Sequence, residues 1–232
     1  IARLVLEGTD GWPLAWDYSE KMLSLKAPEV APPMTVAMLL GLAAALTLLA
    51  AWRSGRGSDH RAIWAAGAAL IAPVSAVALE LFWAPSLVIG AYPWALHVII
   101  LAAVMAFLAT RFAAADGEDK RRAAYATLAT LSLIALALFL ILTKGALTLA
   151  LAALVLVAAA LNRRFRLPEM TYYIQAAVVG LSWRLVVDPG LPWAIDEAAL
   201  WEVIVSYGGA AAAMVGGLRI LDGLDRRNAR VF

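Results

Sequence analysis

The sequence predicts an all-α, polytopic transmembrane protein of about seven spans arranged as repeated helical hairpins, and three observations predict it. Of its 232 residues 63% are hydrophobic, with a mean hydropathy of +0.80, more apolar matter than a soluble core of this length can bury. The apolar residues gather in runs of about 17 to 22, long enough at a 1.5 Å rise per residue to cross a hydrocarbon layer of about 30 Å. The basic residues sit almost wholly in alternate connections between those runs.

Taken in order, residues 1–32 read as an external segment. Asp17 and Glu20 stand at capping-box spacing, and Leu14, Tyr18, Met22 and Leu25 then share one helical face, which predicts an interfacial amphipathic helix ended by Pro28, Pro32 and Pro33. The transmembrane domain covers residues 33–221. Its spans are Met34 to Trp52, Ala62 to Phe82, Tyr92 to Thr110, Ala123 to Thr143, Ala146 to Leu161, Met170 to Val187 and Leu200 to Leu221. The fifth is the shortest. Residues 222–232 read as a tail or a linker to further sequence. The chain opens on Ile1 with no signal-like segment, and the expectation is an excerpt of a longer protein.

Orientation follows from the connections. Arg53, Arg56 and Arg61 lie between spans one and two; Arg111, Lys120, Arg121 and Arg122 between three and four; Arg163, Arg164 and Arg166 between five and six. With Arg219, Arg226, Arg227 and Arg230 these make fourteen of the 19 basic residues on one side. The positive-inside rule makes that side cytoplasmic, residues 1–32 periplasmic and residue 222 onward cytoplasmic. Arginine outnumbers lysine and alanine abounds, which suggests a bacterial inner membrane. Trp83, Tyr92, Trp94, Trp193 and Trp201 mark outer boundaries, and Trp52, Trp64, Tyr172 and Tyr173 inner ones, where ring systems with a polar handle anchor.

The same counts exclude several classes of function. Net charge is +2 and pI about 9.1, yet the basic groups flank spans, so no nucleic-acid binding is read from them. There is no cysteine and there are two histidines, His60 and His97, so no disulfide, thiolate chemistry, metal or cofactor is expected. No nucleophile with its base, no P-loop and no dinucleotide fingerprint occurs, so no enzyme is expected. The partners expected are membrane lipids and other membrane proteins.

A repeat is legible in Arg53, Arg111, Arg163 and Arg219, each closing a descending span at spacings of 58, 52 and 56 residues. One hairpin per repeat of about 55 residues predicts stacked hairpins. Gly209, Ala213 and Gly217 recur every four residues and predict a close helix contact in the last span. Pro73 interrupts span two and predicts a bend there.

The candidate polar site lies in the outer leaflet. Glu80 ends span two, His97 is near the outer end of span three, and Glu202 begins span seven. Arg184 stands fourteen residues beyond Met170, about 21 Å along a helix, with Asp188 one turn on as a pairing partner. Ionisable groups inside a membrane are by default functional candidates, although snorkelling or pairing also accounts for them this close to a boundary. As a site, Glu80 would titrate or bind a cation, Arg184 would clamp an anion and His97 would be their pH-sensitive neighbour.

Three stretches carry a family resemblance. Leu142-Thr-Lys-Gly-Ala-Leu-Thr-Leu-Ala-Leu-Ala-Ala-Leu-Val-Leu156, then Leu161-Asn-Arg-Arg-Phe-Arg-Leu-Pro-Glu169, and then Trp201-Glu-Val-Ile-Val-Ser-Tyr-Gly-Gly209 resemble the large bacterial multi-pass proteins grouped as domain of unknown function 2339. There a basic turn with Leu-Pro precedes a span that ends in an arginine-containing stretch, matched here by Arg184 to Pro189. The likeness covers residues 60 to 221. Members carry Asn-Trp before the last span where this chain has Leu200-Trp201-Glu202. The resemblance implies a longer protein with many spans and brings no activity. The sequence therefore points to a non-catalytic scaffold or accessory subunit of a membrane complex. The rival is a transporter or flippase-like protein using Glu80 and Arg184, and a remote third is an intramembrane transferase.

Overall fold

The fold is described by a computed structural model, which covers residues 34–56, 60–83, 85–142, 144–167, 169–187, 191 and 193–228. All regular structure among them is helical. The expected amphipathic helix before Met34 and the pairing residue Asp188 lie outside the described residues. The chain divides into two compact units, Ile1–Ile141 and Leu142–Phe232.

The first unit contains α1 (Met34–Gly55), α2 (Arg61–Trp83), the single turn α3 (Pro85–Val88), α4 (Ala91–Asp116) and α5 (Arg121–Ile141). α1 packs on α2, α2 on α5, and α5 on α4. The core where α2, α4 and α5 meet is built mainly from Ala69, Ala72 and Ala76, Val98, Ala102 and Met105, and Ala129, Leu133 and Ala137. Small residues suit it: in hydrocarbon, burial of apolar surface supplies no drive between helices, and alanine lets the backbones approach closely enough for dispersion to hold them. Two glycines bound α4. Gly90 precedes it at φ 96° and Gly117 follows it at φ 60° with ψ −110°, backbone states that side chains disfavour. α2 stays one helix through Pro73, so the expected interruption leaves no break.

The second unit contains α6 (Lys144–Phe165), α7 (Glu169–Val186), a π-helical turn (Trp193–Glu197) and α8 (Leu200–Asn228). α6 packs on both α7 and α8, with Ala152, Leu181, Ala210 and Ala213 at the centre. The α6–α7 turn is closed by Arg166 at φ 55°, whose N–H donates to the Asn162 carbonyl at 2.8 Å, while Leu167 tucks in behind it. A side-chain hydrogen bond from Asn162 to the Thr171 hydroxyl, 3.3 Å, ties the same two helices.

Among the described residues, five helices are long and apolar enough to cross a membrane: α2, α4, α5, α6 and α8. α1 and α7, the first and sixth of the seven expected spans, are helical but are not among those five. In α7 the reason is legible, since Glu169, Gln175 and Arg184 lower the hydropathy of an 18-residue helix. The fifth expected span is longer than its apolar run suggests. α6 has 22 residues because Asn162, Arg163 and Arg164 continue the helix past its apolar part. α8 likewise continues to Asn228, past the expected end of the transmembrane domain at residue 221.

Candidate functional site

The five sequence-predicted polar residues fall in both units, and each unit gives its own surroundings. In the first, Glu80 lies in the last turn of α2 and faces the start of α3. Its carboxylate accepts the Ser86 hydroxyl and, at 3.4 Å, the Ser86 backbone N–H. A short helix packed on α4 leaves its first N–H groups without internal partners, and this carboxylate supplies one. Glu80→Ala is expected to lower stability by about 1.5 kcal/mol, the scale of a hydrogen bond to a charged acceptor, with Glu80→Gln closer to wild type. Detergent-phase unfolding of the two variants measures it.

His97 stands in the second turn of α4. Its Nδ1–H donates to the Pro93 carbonyl at 2.7 Å. The ring stacks near Trp94, with centroids 6.4 Å apart. Both residues line a groove of about 340 Å³ between α1, α2 and α4. Thr47, Ser75 and Val104 also border it. The buried Ser75 Oγ and Trp94 Nε1 have no hydrogen-bond partner.

In the second unit Arg184 is 8% exposed, in the last turn of α7. Its Nη2 donates to the Lys144 carbonyl at 3.2 Å, joining the end of α7 to the start of α6. The same carbonyl accepts the Thr148 hydroxyl at 3.2 Å, and Lys144 itself takes a left-handed backbone, φ 47°. The Lys144 ammonium turns outward to Glu197 at 2.6 Å. One residue after Arg184, the Leu185 carbonyl accepts the Tyr207 hydroxyl at 2.8 Å and ties α7 to α8. Glu202 lies in the first turn of α8, where its carbonyl accepts the Ser206 hydroxyl at 2.6 Å. Glu80 and His97 thus belong to one unit, Arg184 and Glu202 to the other.

The most completely bonded charge in the described residues was not among these five. Arg122, at the start of α5, is 7% exposed. Nε donates to Asp116 Oδ2 at 2.7 Å and Nη2 to the other carboxylate oxygen, a two-pronged pair. Nη1 donates to the Ser54 carbonyl at 2.6 Å, and the guanidinium lies 4.7 Å from the centre of the Phe112 ring. One side chain thereby fastens the end of α1, the end of α4 and the start of α5. The only sequence signal was an acidic residue closing one helix and a basic one opening the next.

Among the described residues no three His, Asp or Glu side chains gather as a metal site. The sequence model of the family described as Predicted membrane protein (DUF2339) matches residues 11–231, nearly the whole chain and well beyond the expected stretch from 60 to 221. No curated protein and no solved structure matches the chain.

Proposed function

We propose that this chain, which belongs to the DUF2339 family of predicted membrane proteins, serves as a non-catalytic scaffold or accessory subunit of a membrane complex. The observation that supports this reading is where the charges in and beside the apolar helices are spent. Glu80 is bonded to Ser86, Arg184 to the Lys144 carbonyl, and Arg122 to Asp116 and Ser54, all within their own units. Groups so employed hold helices together; a translocation site needs them available to cargo. The outward faces supply the other half of the reading. Phe107 on α4, Val179 on α7 and Ile204 on α8 are each more than 60% exposed, a surface that lipid or a neighbouring membrane protein covers.

The transporter reading draws on one observation, the groove between α1, α2 and α4 with His97 on its wall. Photo-crosslinking separates the two. A photoreactive residue at position 107, 179 or 204 of the full-length protein in native membranes is expected to give discrete protein adducts from at least one face. Lipid adducts alone at all three, with His97→Ala abolishing solute flux in proteoliposomes, would overturn the scaffold.

The same proposal puts the arginine-bearing helix ends at the inner face of a bacterial inner membrane, with residues 1–32 on the other side. The absence of cysteine makes this directly testable. Single cysteines at the exposed positions 118 and 164 are expected to resist an impermeant maleimide in intact cells and to react after lysis. Labelling of either in intact cells rejects the orientation.

A further inference from the structure

At the ends of α6 and α8 opposite their arginine-bearing ends, the second unit holds a cavity of about 360 Å³. Its lining is unlike the rest of the chain. Lys144, Glu202, Ser206, Trp193 and Trp201 meet there with the first-turn backbone of α6 at Gly145 and Ala146. A cation, a carboxylate and two indoles therefore share one opening where the apolar helices begin. From this the geometry points to a binding site for a zwitterionic phospholipid headgroup that carries a primary ammonium and a phosphate, of the phosphatidylethanolamine kind.

Each part of that headgroup has a partner of matching chemistry. The Lys144 ammonium has three N–H donors, and its bridge to Glu197 uses one of them. Gly145 and Ala146 open a helix, so their amide N–H groups lack carbonyls within it and lie at its positive end, an arrangement that suits phosphate. Across the opening, the Glu202 carboxylate accepts from a primary ammonium, and the indole faces attract the same cation. Trp193 is held in place: it is 7% exposed and packs closely on Gly145, where an added Cβ would come 3.2 Å from its ring and press it back by a few tenths of an ångström. The π-helical turn carries it there, closed by the Ala198 N–H donating to the Trp193 carbonyl at 2.9 Å. Such turns often aim side chains at sites.

Size and surroundings choose the lipid over a free headgroup. The cavity is near the small end of ligand sites, roughly 300 to 1,000 Å³, and takes a headgroup while excluding acyl chains. From its mouth α8 presents Leu200, Trp201, Ile204 and Val205, all exposed, as a continuous apolar strip along which acyl chains can lie. This inference goes beyond the scaffold role and does not depend on it, since a lipid seated here would accompany either reading of the function.

Native mass spectrometry of the purified full-length protein, offered equimolar dioleoyl phosphatidylethanolamine, phosphatidylglycerol and phosphatidylcholine, tests it. Ethanolamine lipid is expected to be retained about tenfold over the glycerol lipid, which has no ammonium, and over the choline lipid, whose methylated ammonium has no N–H for Glu202. Glu202→Gln is expected to remove most of that preference, and Lys144→Gln to lower retention of all three lipids several-fold, since each carries the phosphate. Both side chains reach the surface, and Lys144→Gln keeps the backbone carbonyl that Arg184 uses, so loss of fold is not the anticipated cause; an unchanged unfolding midpoint checks it. Equal retention of the three lipids, a preference that survives Glu202→Gln, or retention unchanged by Lys144→Gln overturns the site. Free phosphoethanolamine bound as tightly as the lipid overturns the lipid as its occupant.

Discussion

Replacing Arg122 with methionine is expected to destabilise the first unit by about 3 to 5 kcal/mol, among the largest losses a single substitution produces. The reason lies in what is left behind. The Asp116 carboxylate is 3% exposed at its side chain and would keep its burial while losing both guanidinium donors. The Ser54 carbonyl at the end of α1 would lose its 2.6 Å donor at the same time. Asp116→Leu alone is expected to do comparable damage by stranding the cation. The double variant Arg122→Met with Asp116→Leu should recover most of the loss, because removing both members of a buried pair removes the desolvation cost together with the attraction. Unfolding of the purified protein by a denaturing detergent, followed by tryptophan fluorescence, gives the four free energies of the cycle. Additive losses would show that the two residues act separately and that the clamp is not what joins α1, α4 and α5.

The contrast between that clamp and the helices shows what a single sequence displays. The helices of both units are written in runs of apolar residues, because a membrane demands length and apolarity from every span and punishes exceptions. Gly209, Ala213 and Gly217 in α8 likewise announced close packing. What periodicity does not carry is pairing between elements. Arg122 entered the sequence reading as one of several basic residues in a loop, and nothing in that count distinguishes a solvated arginine from one held by Asp116 six positions earlier and Ser54 sixty-eight positions earlier. Glu80 was conspicuous as an acid at the end of an apolar run, whereas its partner Ser86 was an unremarkable loop residue.

Arg184 shows a different limit. Its depth along α7 was countable, and Asp188 stood at helical pairing distance in sequence. Asp188 lies outside the described residues, and within them Nη2 of Arg184 reaches a backbone carbonyl forty residues earlier, at the start of α6. Backbone acceptors have no residue type, so a reading based on residue types has no means of finding them. The headgroup cavity is hidden for the same reason. Lys144 stands 49 residues before Trp193 and 58 before Glu202, and only the convergence of the starts of α6 and α8 with the π-helical turn makes them one site.

Neighbouring glycines in α8 give the sharpest test of how that helix is seated. A Cβ at Gly209 would lie 2.5 Å from Cδ2 of Leu149 on α6, while at Gly208 nothing stands within 4 Å. Gly209→Val is therefore expected to cost about 1 to 3 kcal/mol by overpacking, since α6 or the leucine must give way. Gly209→Ala should cost less, because the atom it meets is the far end of a flexible side chain. Gly208→Ala should be neutral or stabilising by up to about 1 kcal/mol, the ordinary gain from replacing glycine within a helix. Pairing Gly209→Val with Leu149→Ala should restore part of the loss, as space removed on one helix is returned on the other. The same contact line continues to Gly216, whose Cβ would come 3.1 Å from Leu156 Cδ2, and to Gly217, at 3.7 Å from Val155 Cγ1. A ridge on α6 thus fits a strip on α8 that lacks side chains, and the fit depends on which face of α8 is turned inward. If valine were tolerated equally at 208 and 209, α8 would be turned differently about its axis, and Ser206 and Glu202, one and two turns before Gly209, would no longer face α6.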